Sequence, residues 1–316
     1  MSYSRPRIVL SKCIEFDACR YDGQMINNKY VKLMKNHIDF LTVCPEVEIG
    51  MGIPRDTIHL VDNKGKAMLI QSATNKDYAP NMIDFSNEYL SNLNDIDGFI
   101  LKSRSPSCGI SSTKIYPKPT KNTSPLGRGP GLFTSKAIEY FPNHPKEEDK
   151  RLNDIFLREH FLTSIFTIAE FRNVSSFRDL YNFQGKHKYL FMTYNQVKMR
   201  QMGKIAANFD EHPFEKVKAN YLDLLYKLFL KRPRYLSNIN TQMHIFGYFK
   251  NKLSSEEKVY FLELLDKYRE GIIPISGVNI VLKSWSLRIK NEYLINQSYF
   301  QPFPKELVIL NESRMK

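Results

Sequence analysis

The apolar residues in the first half of the chain fall into short β-branched runs, separated by segments with helical spacing. Short apolar runs bounded by turn residues predict buried strands of a parallel sheet. The predicted strands cover residues 7–11, 39–43 and about 97–102, with a further short strand at 67–70. The predicted helices cover about 29–37 and 79–92, and a third begins near Phe133. This alternation predicts a doubly wound α/β domain with a mostly parallel sheet.

The second half has apolar residues at helical spacing and carries helix-boundary signals. Pro213 suits the first turn of a helix, and Ser254 with Glu257 forms a capping-box pattern. We therefore predict an all-α helical domain over residues 151–316, behind an α/β domain over residues 1–145. The prolines and the charged run of residues 141–150 predict the linker between these domains.

Length and composition restrict the class of protein. A chain of 316 residues is long enough for two separately folded cores. No stretch approaches the roughly 18 consecutive apolar residues of a membrane helix. No signal-peptide core precedes the first strand. We therefore expect a cytoplasmic protein with no membrane partner. Four cysteines in a chain of this length do not make a disulfide scaffold, so reduced thiols or metal ligands are expected.

The net charge of +13 is concentrated in the second half. Residues 1–145 carry 18 Lys and Arg against 14 Asp and Glu, whereas residues 146–316 carry 28 against 19. A basic half next to a half that contains candidate reactive residues suggests a polyanionic partner, most simply a nucleic acid. An ordinary solvated lysine surface is the alternative interpretation.

Three cysteines, Cys13, Cys44 and Cys108, each follow a predicted strand. Reacting groups in an open parallel sheet gather at the carboxyl ends of the strands, so these thiols are expected to converge. Thiolates are soft ligands suited to iron–sulfur clusters or zinc, and the chain lacks the Cys-x2-Cys pair of a closed zinc site. Three thiolates would leave one iron of a cubane cluster open. Alternatively, these are three unrelated buried thiols. Cys19 could complete the set of ligands or pack beside it, and we favour a place beside the ligands because a fourth ligand would block the substrate.

A carboxylate and several hydroxyl groups lie close to these cysteines in sequence. Glu46 follows Cys44 by two residues, and a carboxylate near a cluster could move protons. Three serines alternate before Cys108, and one of them could contact a substrate; they are Ser103, Ser105 and Ser107. An exposed loop glutamate and turn-forming serines are the alternatives. The glycine-rich segment 127–131 could present amides to a phosphate or form a plain turn.

Taken together, these motifs resemble the thiouracil desulfurase family over about residues 5–142. The motifs are Ser11-Lys12-Cys13, Arg20-Tyr21-Asp22-Gly23, Val43-Cys44-Pro45-Glu46 with Pro54-Arg55, and Lys102-Ser103-Arg104-Ser105-Pro106-Ser107-Cys108-Gly109. The resemblance implies an α/β enzyme that exchanges a thiocarbonyl sulfur for oxygen at a [4Fe-4S] cluster. It places the cluster on Cys13, Cys44 and Cys108, and the catalytic glutamate and serine on Glu46 and Ser105. Cys19 is a departure, because the stand-alone enzymes mostly have an aliphatic residue there.

The second half is similar to a domain of formerly unknown function that is often fused behind the first. The pattern lies in Lys186-His187-Lys188-Tyr189, His244 with Gly247-Tyr248-Phe249-Lys250, and Trp285, Tyr293-Leu294, Gln297 and Pro302-Phe303-Pro304. Such fused proteins resemble bacterial desulfidases that remove sulfur from 4-thiouridine in tRNA, which implies a tRNA partner. The expected phosphate contacts are Lys186, Lys188, Lys198, Arg200, Lys204, Lys231, Arg232 and Arg234. His187 is a further candidate contact, and Tyr189 or Tyr235 could stack on bases.

Three other functions remain open on the sequence. The first is a desulfidase of free thiouracil or thionucleosides. The second is an enzyme that adds sulfur to tRNA, although Lys12-Cys13-Ile14-Glu15 stands where a glycine-rich nucleotide loop would follow the first strand. The third is a non-enzymatic RNA-binding or redox-sensing protein.

Overall fold

The computed structural model of the chain describes residues 3–118, 123–207 and 212–308. Contacts within the chain divide it into two compact units. One unit comprises Met1–Glu170 together with Pro304–Lys316, and the other comprises Phe171–Phe303.

Two four-stranded sheets organise the first unit. The strands are β1 Arg7–Ser11, β2 Asp39–Val43, β3 Ile58–Asn63, β4 Lys66–Gln71, β5 Gly98–Leu101, β6 Thr113–Tyr116, β7 Gly127–Gly129 and β8 Lys146–Glu148. The first sheet has the order β2-β1-β5-β8 and is parallel throughout. Its central strand β1 pairs Ile8 with Phe40 on one side and with Gly98 on the other. The predicted parallel sheet is therefore confirmed.

The second sheet is mixed, with the order β4-β3-β6-β7. Strands β3 and β4 form an antiparallel hairpin whose turn residues, Lys64 and Gly65, have φ angles of 55° and 86°. Positive φ at both turn positions matches the twist of a two-residue hairpin. Only β4 was predicted from the sequence, because polar residues such as His59 and Asp62 interrupt the apolar pattern of β3.

Helices cover the apolar side chains of the parallel sheet. They are α1 Lys29–Met34, α2 Pro45–Glu48, α3 Ala79–Ser91, α4 Leu132–Tyr140 and α5 Ile155–Arg172. One core cluster joins Val9 and Phe99 of the sheet to Met82 of α3 and Phe133 of α4, all of them fully buried. The predicted helices near 29, 79 and 133 are confirmed.

The charged segment after Pro145 is part of the sheet. Lys146–Glu148 forms β8 and pairs with β5, and Glu147, Glu148 and Asp149 are 7%, 3% and 2% exposed. The Glu148 carboxylate accepts hydrogen bonds from the Ile110 amide at 2.7 Å and the Ser112 hydroxyl at 2.7 Å. The linker interpretation of these residues is therefore wrong, because they form β8 and the Glu148 and Asp149 carboxylates have partners in the loop after β5.

The second unit is helical. Its helices are α6 Phe177–Tyr194, α7 Gln196–Ala207, α8 Phe214–Leu228, α9 Tyr235–Phe246, α10 Ser255–Arg269, α11 Ile275–Arg288 and α12 Glu292–Ile295. The predicted capping box of Ser254 and Glu257 is present at the start of α10, and Pro213 directly precedes α8. Within the described part of the chain, no helix is long and apolar enough to cross a membrane. The fold class predicted from the sequence is confirmed for both regions.

Candidate active site

Three adjacent strands deliver three cysteines to one cavity. Cys13 lies two residues after β1, Cys44 directly follows β2, and Cys108 lies in the loop after β5. Because β2, β1 and β5 are parallel neighbours, their carboxyl ends meet at one edge of the sheet. The three side chains line a cavity of about 480 Å³ and are 9%, 8% and 6% exposed. The expected convergence of these residues on one cavity is observed.

The loop that carries Cys108 is held by the start of α4. The Gly131 amide donates to the Gly109 carbonyl at 2.7 Å, and the Thr134 hydroxyl donates to the Cys108 carbonyl at 2.8 Å. Amides at a helix N-terminus have no partner within the helix, and here the Cys108 loop supplies one. The interpretation of residues 127–131 as a phosphate loop is wrong, because they form β7 and this anchor.

Cys19 joins the other thiols in the cavity. It is 1% exposed, and its thiol lies within hydrogen-bonding reach of the thiols of Cys13 and Cys44. The Cys44 Sγ also lies 3.8 Å from the Cys19 carbonyl. The cavity is therefore lined by four buried thiols.

The protein environment favours the protonated form of three of these thiols, Cys19, Cys44 and Cys108. The hydrogen bond with Cys13 raises the pKa of Cys19 to about 11. The hydrogen bond with Cys19, followed by burial, raises the pKa of Cys44, and burial raises the pKa of Cys108. Thiolate ligands form at such positions when a bound metal supplies positive charge.

Glu46 is held at the cavity by an arginine and two serines. Arg55 Nε and Nη2 lie 3.0 Å and 2.5 Å from Glu46 Oε2, and both side chains are largely buried. The Ser107 hydroxyl donates to Glu46 Oε1 at 2.9 Å, and the Ser105 hydroxyl lies 3.5 Å from the same oxygen. The sequence showed Arg55 only as part of a motif and Ser107 only as one of three serines that could contact a substrate, and neither contact with Glu46 is local in sequence.

Ser105 and Ser107 have different positions. The Ser105 Oγ accepts the amides of Ser107 and Cys108 at 3.2 Å and 3.0 Å, so its own proton is left to donate towards Glu46. Ser105 lines the cavity, whereas Ser107 is fully buried behind it. Ser105 is therefore the hydroxyl that can reach a ligand, and Ser107 orients Glu46.

The cavity carries an excess of positive charge. Its basic lining residues are Lys12, Arg20, Arg55, Lys102, Arg104, Lys114 and Arg128, against the acidic Glu46 and Asp56. Within the described part of the chain, Arg104, Lys114 and Arg128 form no ion pair. An excess of one charge in a cleft attracts ligands of the opposite charge.

Aromatic side chains add flat surfaces to the cavity wall. His59 and Tyr116 line the cavity and pack edge to face at 5.4 Å, and Tyr21 is 43% exposed there. Burial lowers the pKa of His59, so its ring is neutral at pH 7.

The basic residues expected to contact RNA lie on three parts of the helical unit. Lys186 and Lys188 are on α6, Lys198, Arg200 and Lys204 are on α7, and Lys231, Arg232 and Arg234 connect α8 to α9. Lys198 Nζ donates to the Lys227 carbonyl at 2.5 Å, so the start of α7 lies beside the end of α8. This contact brings Lys198 towards the connecting segment.

Two of the further candidates for RNA contact are buried in the helical core. His187 is 1% exposed, its Nδ1 hydrogen-bonds the Ser298 hydroxyl at 2.7 Å, and its ring stacks on Phe191. Tyr189 is 2% exposed, whereas Tyr235 is 53% exposed. Phosphate contact by His187 and stacking by Tyr189 are therefore excluded in this fold, because neither ring reaches solvent.

The thiols around the cavity are soft donors of the type that bind iron or zinc. Among residues 3–118, 123–207 and 212–308, no three His, Cys, Asp or Glu side chains are placed to hold one metal ion. In a cubane iron–sulfur cluster, each thiolate binds a different iron. Three buried thiols from three strand ends provide the type of donor that such a cluster requires.

Two regions of the chain match family models. Residues 8–149 match the family of 2-thiouracil desulfurase, and residues 188–304 match a family described as protein of unknown function, DUF1722. The first region contains all four cysteines, Glu46 and Ser105.

Two known proteins are similar to parts of this chain. The uncharacterized protein YbgA of Escherichia coli strain K12 is 24% identical over 131 residues, which cover 40% of this chain and 75% of that protein. A structure titled [4Fe-4S]-dependent thiouracil desulfidase TudS is 22% identical with a TM-score of 0.37, covering 47% of this chain and 94% of its own. By the two family matches, the chain joins a region that matches the 2-thiouracil desulfurase family to a region that matches DUF1722.

Proposed function

We propose that the protein is a desulfidase that replaces the sulfur of a thiolated pyrimidine by oxygen, and that its substrate is 4-thiouridine in tRNA. The match to the 2-thiouracil desulfurase family supports an enzyme that removes sulfur from thiopyrimidines. The observation that carries the proposal is one cavity that unites Cys13, Cys44 and Cys108 with Glu46 and Ser105. These are a set of soft ligands and a set of proton-transfer groups in one place.

In this proposal Cys13, Cys44 and Cys108 would hold a [4Fe-4S] cluster. When bound, the cluster supplies an iron with an open position, a Lewis acid that polarises the carbon–sulfur bond of the substrate. The three thiols are nearly excluded from solvent, which limits access of water to the ligand side of the site.

Glu46 and Ser105 manage the protons of the reaction. Glu46 accepts a proton from the water that adds to the ring carbon, with Arg55 and Ser107 keeping its two oxygens in place. Ser105 donates its proton towards Glu46 or towards the substrate. The carbon–sulfur bond breaks with both electrons on sulfur, so water and a thiocarbonyl give a carbonyl and hydrosulfide. No oxidant or reductant is consumed.

Charge supports a polyanionic substrate. Arg104, Lys114 and Arg128 bring positive charge to the cavity wall. The helical unit, residues 171–303, has 21 Lys and Arg against 11 Asp and Glu. Cationic surfaces contribute affinity for RNA phosphates, and that affinity falls as salt rises.

A second candidate is a desulfidase of free thiobases or thionucleosides. Every residue that lines the cavity lies between Ser11 and Arg128, within the first unit. A volume of about 480 Å³ is of the size that binds small molecules, so the chemistry can be carried by this unit without RNA.

The test compares substrates after anaerobic reconstitution with iron and sulfide. Loss of the absorbance of the substrate's own thiocarbonyl group is followed in bulk tRNA, in free 4-thiouridine and in free 2-thiouracil, with Cys108→Ala as the control without a complete ligand set. We expect the highest kcat/KM for tRNA and no turnover by Cys108→Ala. Turnover of the free compounds only would favour the second candidate. Unchanged absorbance in all three despite an intact cluster would leave a binding protein and overturn the proposal.

A triple substitution of Lys231, Arg232 and Arg234 by alanine tests the RNA-binding segment. Loss of phosphate contacts should raise KM for thiolated tRNA about tenfold and flatten its salt dependence, because each contact contributes a slope of about 0.7–0.9. Activity on free 4-thiouridine should not change. The matched control removes three other exposed cations, Lys250, Lys252 and Lys267. Equal effects of the two triple variants would place the RNA contacts elsewhere.

A further inference from the structure

The cavity contains one thiol more than the proposed function uses. Cys19 lines the cavity at 1% exposure, and its thiol lies within hydrogen-bonding reach of the thiols of Cys13 and Cys44. It therefore belongs to the same cluster of thiols, although its segment is not at a strand end.

The backbone at Cys19 is fixed in this position. Arg55 Nη1 donates to the Cys19 carbonyl at 3.1 Å, and the same guanidinium group holds Glu46. The amide of Ile26 donates to the Cys13 carbonyl at 2.8 Å, which closes the segment 13–26 that contains Cys19. The fourth thiol is thus held at the site by the group that orients the proton-transfer carboxylate.

A thiol held this close competes with any ligand for an open iron. Thiolates are soft donors that iron binds well. A group tethered at the site acts at an effective concentration in the millimolar range or above, so it exceeds free hydrosulfide or thiobase at ordinary concentrations. A thiocarbonyl sulfur is also soft, so it can displace the thiol at sufficient concentration.

We propose that Cys19 is an exchangeable fourth ligand, which binds the open iron when no substrate is present and leaves when the thiobase sulfur binds. The proposal rests on the proposed function and adds a protective state to it. On binding, the Cys19 thiol gives its proton to solvent and an iron–sulfur bond forms. On displacement, that bond breaks and the thiolate takes up a proton, so no electrons are transferred.

The first test measures how easily the cluster loses an iron. Iron without a thiolate ligand leaves first on oxidation, and the product is a [3Fe–4S] centre with its own electron paramagnetic resonance signal. With ferricyanide as oxidant, we expect Cys19→Val to form this signal at least tenfold faster than wild type. Saturating 2-thiouracil should change the rate of iron loss in wild type, because it displaces Cys19 from the iron. In Cys19→Val no thiol protects the iron with or without 2-thiouracil. Valine keeps the side chain apolar and of similar volume, and circular dichroism verifies its fold.

The second test measures substrate competition. Removing the internal ligand should lower KM for free 2-thiouracil several-fold in Cys19→Val and leave kcat within about twofold. Replacing a residue that merely packs beside the site would not both lower KM at nearly constant kcat and accelerate iron loss.

The outcomes separate this inference from the function on which it rests. Equal rates of iron loss in wild type and Cys19→Val, with desulfidation intact, overturn only the role of Cys19. A Cys19→Val protein that cannot form a cluster also overturns it, since Cys19 would then be a permanent ligand. Failure of the wild type to form a cluster overturns both proposals.

Discussion

Replacing Glu46 by glutamine is expected to lower kcat for desulfidation by about 100-fold or more, while the cluster chromophore is retained. Glutamine can still hydrogen-bond Ser107 and Arg55, but it cannot accept the proton of the attacking water. Arg55 also loses its counter-charge in a largely buried position, which should reduce the free energy of unfolding by about 3 kcal/mol. Rates are therefore measured well below the melting temperature of the variant, and the chromophore is recorded in the same samples.

The matched control for this prediction is Glu48→Gln. Glu48 lies on the same short helix α2, is exposed, and forms no ion pair with a described residue. We expect its kcat and melting temperature to equal those of wild type. If Glu46→Gln turned over at a rate within a few-fold of wild type, the proton would be handled by another group, and the assignment of Glu46 would be wrong.

The second large effect is expected at Gly131. A Cβ atom there would lie 2.5 Å from the carbonyl carbon and oxygen of Ser107, so the backbone of the Cys108 loop would have to move. Overpacking against backbone costs about 3 kcal/mol, and for this unit that corresponds to a fall in melting temperature of about 6–12 °C. Because the loop carries both Cys108 and Ser105, Gly131→Ala should also lower the iron bound after reconstitution.

Gly127→Ala provides the control on the same segment. A Cβ at Gly127 meets no atom within 4 Å, and the substitution adds the same methyl group as Gly131→Ala. We expect Gly127→Ala to keep the stability and the iron content of wild type. Normal iron content in Gly131→Ala would show that the anchor between α4 and the loop does not determine how Cys108 is placed.

The local pattern of the sequence is sufficient for most elements of the parallel sheet but not for its last strand. Ile8-Val9-Leu10 and residues 98–101 are apolar and fully buried, so burial and the pattern agree. Lys146-Glu147-Glu148 is equally a strand, yet its charges predict a solvated linker. The difference arises because the Glu148 carboxylate is hydrogen-bonded by groups distant in sequence, Ile110 and Ser112.

The candidate site also has features that the sequence showed and features that it did not show. The positions of Cys13, Cys44 and Glu46 after strands made them visible in the sequence. The ion pair of Arg55 with Glu46 and the hydrogen bond from Ser107 to Glu46 were not visible, because the paired residues are nine and sixty-one positions apart in the sequence. Cys19 could be noted as an extra thiol, but only the fold shows its contact with two of the other cysteines.

The sequence by itself determined three strands of the parallel sheet, the helices between them, and that three thiols follow strands, because burial imposes a periodicity and turns have characteristic residues. Tertiary structure alone decided that β2, β1 and β5 are neighbours, that a mixed sheet lines the cavity, and that β8 anchors the Cys108 loop. These features depend on contacts between residues far apart in the chain, whose partners no local pattern of apolar and polar residues can specify.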